Sequence, residues 1–256
     1  MSEYIYKINN LSFGFDRIKP PIIENVNINI KRGKLTTILG INGSGKSTLL
    51  KLLINQLTPD IGEILFLNKN IQKIGQKKLS THISYVGQNP NENIPLTVEE
   101  VVNFGNHPYE HLFFRDAPHF KENLQNALLI SGTHSLKDRL FTQLSIGQKQ
   151  KVMVARAVCQ NTDVILLDEP TSSLDIKNEV EIMDMLKKLV IDKKKSIVLI
   201  CHNLNLVSKY ADEVIFIKDR NVKTGEKETL FSAKELSNIF DTKIDEINKD
   251  GTRIFY

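Results

Sequence analysis

The stretch Gly40-Ile41-Asn42-Gly43-Ser44-Gly45-Lys46-Ser47 decides the fold of this chain. It fits the pattern G-x-x-x-x-G-K-[ST] at every specified position. The glycines let the backbone approach a ligand closely, so that N–H groups can point at phosphate oxygens. An apolar run, Leu35–Leu39, predicts a buried strand before the loop, and KSTLLKLLIN (46–55) predicts a helix after it. A helix that begins at Lys46 presents the positive end of its dipole to the same ligand, so the sequence predicts a phosphate-binding loop.

The side chains of this loop suit a nucleotide and its metal ion. Lys46 offers a positive charge to the β- and γ-phosphates, and the Ser47 hydroxyl can ligate Mg²⁺. A chance turn of this composition is the alternative, and the predicted strand and helix on either side argue against it. We therefore expect ATP and Mg²⁺ to be bound by Asn42, Gly43, Ser44, Gly45, Lys46, Ser47 and Thr48.

A second element is the run Val164-Ile165-Leu166-Leu167-Asp168-Glu169. Its four apolar residues predict a buried strand, and its two carboxylates emerge at the C-terminal end, where α/β sheets bind their ligands. We expect Asp168 to hold Mg²⁺, directly or through water, and Glu169 to polarise the attacking water. An apolar run that ends in Asp-Glu is weak evidence alone, but together with Lys46 it predicts a P-loop NTPase.

Between these two elements, Leu144-Ser145-Ile146-Gly147-Gln148-Lys149-Gln150 resembles the LSGGQ signature of ABC ATPases. A serine hydroxyl, an unobstructed glycine N–H and the N-terminal dipole of the following helix make a second anion site. The resemblance implies that Ser145, Gly147 and Gln148 bind the γ-phosphate of an ATP held by a partner subunit. Ile146 stands where the family usually has glycine, and we expect its side chain to point away from the nucleotide. A serine N-cap on an amphipathic helix is the purely structural interpretation of the same residues.

Further positions match the same family. The resemblance implies that Gln88 touches Mg²⁺ and relays to a membrane partner, and that His202 contacts the γ-phosphate. The stretch Thr171-Ser172-Ser173-Leu174-Asp175 corresponds to the loop whose aspartate faces the subunit interface. Phe15 stands where an aromatic ring usually stacks on adenine, although its neighbour Phe13 could serve instead.

The remaining patterns predict a single α/β domain over residues 1–256. Apolar residues alternate along 26–30, which predicts a strand with one solvated face. Helical patterns between the later strands are typical of a mostly parallel sheet. Further strands are predicted at 63–67, 83–86, 163–167, 196–200 and 213–218.

Three helical patterns in the middle of the chain have no strand between them. One starts at the capping-box sequence that begins with Thr97, and the others cover 119–131 and 146–160. They predict a helical subdomain at about 89–159, inserted into a core of 1–88 and 160–256. The family resemblance implies that this core is RecA-like and carries an antiparallel β subdomain. The tail, 241–256, predicts a hairpin that turns at Lys249-Asp250-Gly251.

The composition argues against several other classes of protein. With 34 basic and 30 acidic residues the net charge is +4, which is too small to indicate nucleic-acid binding. The run Lys193-Lys194-Lys195 is better interpreted as a solvated loop than as a membrane contact. No apolar run approaches the roughly 20 residues of a transmembrane helix, and the N-terminus lacks a signal-peptide pattern. We therefore expect a chain that is soluble by itself.

Neither the cysteines nor the histidines predict a metal centre. Cys159 and Cys201 are far apart in the sequence, which is compatible with a reducing cytosol. His107, His111 and His119 cluster, but prolines interrupt the local helix and no further ligand completes a site.

The resemblance covers nearly the whole chain and implies an ATP-hydrolysing subunit of an ABC transporter. It implies a head-to-tail dimer with a second copy, closed around two ATP molecules, and permease subunits that grip each copy at the cytoplasmic face of the membrane. An extracytoplasmic substrate-binding protein would act indirectly. The segment 96–108 (LTVEEVVNFGNHP), with TSSLDI (171–176) and Ile239-Phe240-Asp241, resembles importers of iron–siderophore, haem and cobalamin complexes.

Other functions remain as alternatives. An exporter or another importer is the first, although exporter ATPases are more often fused to membrane helices. A soluble ABC protein that acts on ribosomes or DNA is less favoured, because the chain has one nucleotide domain and no coiled-coil insertion. A module that binds ATP without turnover is disfavoured by Glu169 and His202 and kept open by Ile146.

Overall fold

A computed structural model describes residues 2–16, 18–88, 94–109, 118–172, 174–249 and 252–256. Its strands are β1 (Tyr4–Phe13), β2 (Ile23–Lys31), β3 (Leu35–Leu39), β4 (Ile61–Phe66), β5 (Lys69–Asn70), β6 (Ile83–Val86), β7 (Val164–Leu167), β8 (Ser196–Ile200), β9 (Glu213–Lys218), β10 (Asn221–Glu226), β11 (Glu246–Lys249) and β12 (Thr252–Phe255). Its α-helices are α1 (Lys46–Leu53), α2 (Gln76–Leu79), α3 (Val98–Asn103), α4 (Pro118–Ile130), α5 (Ile146–Cys159), α6 (Ile176–Lys193), α7 (Leu204–Tyr210), α8 (Lys227–Leu230) and α9 (Ala233–Phe240). Short 3₁₀ helices cover Ile71–Lys73, Phe104–Tyr109, His134–Leu136 and Phe141–Gln143.

The central sheet has the strand order β10-β9-β3-β8-β7-β6. Every neighbouring pair from β9 to β6 is parallel, and β10 joins the edge antiparallel to β9. All residues of β3, β7 and β8 are buried, because helices or a second sheet cover both faces. The expectation of a mostly parallel α/β sheet is confirmed.

Each face of this sheet packs on a separate hydrophobic cluster. In β7, Val164 and Leu166 contact the cluster formed with α1 and the antiparallel sheet, which has the order β2-β1-β4-β5. Ile165 and Leu167 point to the other side, toward the helices α5, α6 and α7. Along β2, buried and exposed residues alternate from Val26 to Ile30, which confirms the strand with one solvated face.

The helices α3, α4 and α5 pack against one another beside the sheet. The predicted capping box of α3 is confirmed: Glu100 N–H donates to Thr97 Oγ1 (3.3 Å), and Thr97 N–H donates to Glu100 Oε2 (2.8 Å). The predicted helices 119–131 and 146–160 correspond to α4 and α5. The subdomain boundaries stay a prediction, and the start at Asn89 lies outside the described residues.

The predicted C-terminal hairpin is confirmed by the antiparallel pair β11 and β12, with Glu246 opposite Phe255. The hairpin is held against α7, because Phe255 N–H donates to Asn205 Oδ1 at 2.9 Å. Asp250 and Gly251 of the predicted turn lie outside the described residues. Within the part of the chain that the structure describes, none of the helices has the length and apolar character needed to span a membrane.

Candidate active site

The glycine-rich loop joins β3 to α1, as the sequence predicts. Gly45 has φ +104° at the N-cap of α1, and a Cβ there would lie 2.8 Å from Ile22 Cγ2, so only glycine fits. Among the described residues, no side chain caps this helix. Its first N–H groups can therefore donate to an anion held by the loop.

The Lys46 side chain lies across the loop and is buried. Its Nζ donates to the carbonyl oxygens of Gly40 and Ile41, each at 2.9 Å. Burial lowers the pKa of Lys46, while the nearby carboxylates of Glu169 and Asp168 act in the opposite direction. A cation held in this way is positioned to meet phosphate oxygens above the loop.

Ser47 and Asp168 bring two oxygen ligands together. The Ser47 hydroxyl donates to Asp168 Oδ1 at 3.1 Å, and Asp168 is buried at the end of β7. Burial raises the pKa of Asp168, the hydrogen bond from Ser47 lowers it, and the charge of Glu169 raises it again. A hydroxyl beside a carboxylate is a donor set that Mg²⁺ prefers, so these residues fit the ion.

Tyr85 is a neighbour of Asp168 that the sequence analysis missed. Burial, with the Asp168 charge second, raises the pKa of Tyr85 to about 12. Its only sequence signal is its place in β6, the strand beside β7, where an aromatic residue is usually taken as core.

Glu169 meets the other predicted catalytic residues at the edge of the sheet where the parallel strands β6, β7 and β8 end. His202 Nε2 lies 2.9 Å from Glu169 Oε1, and the Glu169 side chain is only 17% exposed. Burial acts to raise the pKa of Glu169, but hydrogen bonds with His202 and Gln88, followed by the charges of His202 and Lys46, bring it below its usual value. The group is therefore an anion at neutral pH and can accept a hydrogen bond from water.

The backbone of Glu169 is unusual. Its φ is +52°, the left-handed region, although it precedes Pro170, a position that favours extended backbone. A non-glycine residue in this region costs on the order of 1–3 kcal/mol. Because such strain is concentrated at functional sites, the conformation supports a role for Glu169 in the chemistry.

A cavity of about 470 Å³ connects these groups. It is lined by Ile22, Asn42, Gly43, Gly45, Lys46, Ser47, Thr48, Gln88 and Glu169. In the described part of the chain the buried Ser44 hydroxyl has no hydrogen-bond partner, and it lies on the Gly40 side of the loop rather than in the lining of the cavity. Ile22 is a second residue that the sequence analysis missed, because a lone apolar residue before β2 carries no functional signal.

The two candidate aromatic residues differ in exposure. Phe15 is 67% exposed, whereas Phe13 is 7% exposed and belongs to the core. The centroids of the two rings are 5.1 Å apart, in an edge-to-face contact. The pair lies near the cavity, because the backbone N–H of Ile22, a cavity-lining residue, donates to the Phe13 carbonyl oxygen. This placement favours Phe15 as the ring that is free to stack on a base.

The signature residues lie elsewhere on the surface. Gln148 N–H donates to Ser145 Oγ at 3.3 Å and Ser145 N–H to Gln148 Oε1 at 3.1 Å, so Ser145 caps α5. Ile146 is 58% exposed. Of the described residues that line the cavity, none belongs to the signature motif. The structure therefore does not bring Ser145, Gly147 and Gln148 to the loop of their own chain.

Asp175 is also outside the cavity and caps α6. Its Oδ1 accepts from the Asn178 N–H and its Oδ2 from Asn178 Nδ2, each at 2.8 Å, and the backbone bond is the first cause of the lowered pKa of Asp175. Ser173 of the same loop lies outside the described residues, as does His111 of the histidine cluster. The described residues contain no group of three side chains that could hold a metal ion through His, Cys, Asp or Glu.

The parallel sheet, the loop at the end of β3 and the acidic end of β7 define a P-loop NTPase. Residues 23–172 match the family described as ABC transporter, more than half of the chain, which therefore belongs to that family as its ATPase domain.

Similar proteins agree with this assignment. The petrobactin import ATP-binding protein YclP of Bacillus subtilis is 36% identical over 91% of this chain and 92% of its own length. The ferric enterobactin transport ATP-binding protein FepC of Escherichia coli is 30% identical over 94% of this chain and 89% of its own length. An inward-facing metal-chelate type ABC transporter superposes with a TM-score of 0.84 at 26% identity, over 99% of this chain and 96% of that one. The dimeric ATP-binding cassette MJ0796 with ADP and Pi superposes with a TM-score of 0.73 at 29% identity, over 86% of this chain and 98% of that one.

Proposed function

We propose that this chain hydrolyses ATP to drive an importer of iron–siderophore or related metal-chelate complexes. The contact of Glu169 with His202 beside the phosphate-binding loop is the observation that supports ATP turnover rather than binding alone. The cargo class is supported by relatives that are ATP-binding proteins of petrobactin import and of ferric enterobactin transport. The segment 96–108 adds a sequence resemblance to the same importers.

Within one chain, each predicted residue has a distinct task. Lys46 and the first N–H groups of α1 bind the phosphates, and Ser47, Asp168 and Gln88 are the residues that would hold Mg²⁺. The ion supplies positive charge that stabilises the transferred phosphoryl group.

The remaining side chains act on the attacking water. Glu169 orients the water and accepts its proton at the carboxylate, which the lowered pKa keeps ionised. His202, in contact with Glu169 Oε1, holds that carboxylate in place. Its contact with the γ-phosphate is what the family resemblance implies.

We further propose that a second copy completes this site. Ser145 is exposed at the N-terminus of α5, Gln148 is half-buried and Gly147 packs on Asn178. All three lie away from the cavity of their own chain, where they can bind the γ-phosphate of a facing copy. The head-to-tail arrangement of two copies places each signature helix opposite the other copy's loop, with Asp175 between them. The dimeric structure of the similar cassette MJ0796 with ADP and Pi supports the dimer itself.

The coupling to transport belongs to the same proposal. Gln88 lies at the end of β6 in contact with Glu169, so a permease that grips the following segment senses the state of the nucleotide. That segment begins outside the described residues. Permease subunits at the cytoplasmic face of the membrane and an extracytoplasmic substrate-binding protein complete the proposed importer.

Growth on a ferric siderophore as sole iron source tests this function. A strain that lacks the chain should fail to grow, and the wild-type gene should restore growth while Glu169→Gln should not. The exposed Asp192→Asn variant, which removes a carboxylate far along α6, is the matched control and should restore growth. Unimpaired growth of the deletion strain on all ferric chelates would overturn the cargo assignment.

A further inference from the structure

The first turns of α5 and α6 are in direct contact. A Cβ on Gly147 would lie 3.0 Å from Asn178 Nδ2 and 3.1 Å from its Cγ, so the signature glycine packs on the Asn178 amide. That amide also donates to Asp175, the cap of α6. One turn further along both helices, Lys151 pairs with Glu181. The first turn of α6 is therefore tied to the signature helix.

Glu179, which follows Asn178 in α6, contacts the loop between β8 and α7 rather than the signature helix. Glu179 Oε2 accepts a hydrogen bond from Asn203 Nδ2 at 3.2 Å. Asn203 also caps α7, because its Oδ1 accepts from the N–H groups of Asn205 (3.1 Å) and Leu206 (3.2 Å). Both ends of the Asn203 amide are thus engaged, which fixes the backbone that connects β8 to α7.

His202 directly precedes Asn203, so its direction depends on that fixed backbone. Its side chain is 41% exposed, while the loop is anchored on its inner side by the buried Cys201, whose thiol donates to Asn203 O at 3.8 Å. The contact of Nε2 with Glu169 at 2.9 Å therefore depends also on how the solvent-facing side of the loop is held. Glu179 is the side chain of α6 that holds this side.

We propose that Glu179 is a positioning residue for ATP hydrolysis, which holds His202 against Glu169 through Asn203 and links this pair, by way of Asn178, to the signature helix. The inference rests on the proposed ATPase site and deepens it. The hydrogen bond itself is exposed and adds little stability. Its effect is geometric, because a displacement of about 1 Å in a catalytic group can cost on the order of a hundredfold in rate.

An exchange of donor and acceptor tests this role. Asn203→Asp keeps an oxygen for the α7 cap but places a second carboxylate beside Glu179, and the two repel. Adding Glu179→Gln restores a donor–acceptor pair with the roles reversed. We expect Asn203→Asp to lower kcat roughly tenfold with KM for ATP little changed, and the double variant to regain wild-type kcat. Asp192→Asn, which removes one negative charge elsewhere on α6 as Glu179→Gln does, should have no effect.

A second measurement does not depend on turnover. The ring ¹⁵N signals of His202 in the nucleotide-free protein report its hydrogen bond to Glu169, and they should move in Asn203→Asp and return in the double variant. If wild type shows no ATPase activity, the proposed function fails and these signals alone decide the inference. If Asn203→Asp does not fold, Glu179→Ala replaces it, since the α7 cap is then intact. Wild-type kcat and His202 signals in the disrupted variant, or no recovery in the double variant, would overturn the proposal.

Discussion

Replacing Glu169 by Gln should abolish turnover without removing ATP from the site. Glutamine has nearly the same shape, and its carbonyl oxygen can still accept a hydrogen bond from His202, which lies 2.9 Å away in the wild type. What is lost is the anion that accepts the proton of water. General-base catalysis contributes about 10²–10⁴-fold, or roughly 3–5 kcal/mol of transition-state stabilisation at about 1.4 kcal/mol per tenfold.

Two assays separate the parts of this prediction. Phosphate release at saturating ATP should fall by that factor, while calorimetric titration with ATP and Mg²⁺ should give a dissociation constant close to wild type, because Lys46 and the loop are untouched. Asp192→Asn, an exposed carboxylate on α6, controls for the loss of one charge. Unchanged phosphate release in Glu169→Gln would refute the assignment of the base, and lost ATP binding would show that the carboxylate acts mainly in binding.

Three further predictions concern the core, a helix cap and the adenine contact. Leu166→Ala, at a fully buried position of β7, should reduce the free energy of unfolding in urea by about 2–5 kcal/mol, and an unchanged midpoint would contradict the packing. Hydrogen bonds from the backbone and side chain of Thr97 lower the pKa of Glu100, so this cap stabilises the fold above the ordinary carboxyl pKa and the contribution is lost as the pH falls through the lowered value. Thr97→Ala should therefore lower the melting temperature at neutral pH and weaken its acid dependence; an equal shift at every pH would count against the capping box. Phe15→Ala should weaken ATP binding by about 1–3 kcal/mol with stability retained, whereas Phe13→Ala should mainly destabilise, and the reverse pattern would assign the stacking ring to Phe13.

The strands of the central sheet could be predicted because strands covered on both faces are continuous apolar runs. The bounds of β3, β6, β8 and β9 agree with the sequence prediction. The order of these strands could not be predicted, since a run that is apolar on both faces does not specify its neighbours. β1 was missed, and its register shifts opposite β2 interrupt the alternation that would reveal it.

The phosphate-binding loop could be predicted because its chemistry depends on local backbone and a few adjacent side chains. The contact of Glu169 with His202 joins the ends of β7 and β8, and it exists only because these two strands are parallel neighbours. The left-handed backbone of Glu169 has no sequence signal, since a residue before proline predicts the opposite. The pair of Glu179 and Asn203 depends in the same way on tertiary packing.

The central claim is that two copies share each ATP site, and cross-linking tests it most directly. Ile41 in the phosphate-binding loop and Ile146 in the signature are 40% and 58% exposed, so a cysteine at either position can react. Burial raises the pKa of the native Cys159 and Cys201 thiols to about 12 and about 11, which keeps them unreactive.

The measurement mixes an Ile41→Cys chain with an Ile146→Cys chain, both carrying Glu169→Gln, and treats them with a short bis-maleimide. Because each chain has one reactive cysteine, a link between the two positions must join two copies. We predict a cross-linked heterodimer that requires ATP and Mg²⁺ and is lost when Ile191→Cys, exposed near the end of α6, replaces Ile146→Cys. Equal cross-linking with and without ATP, or none above the Ile191→Cys control, would contradict the shared site.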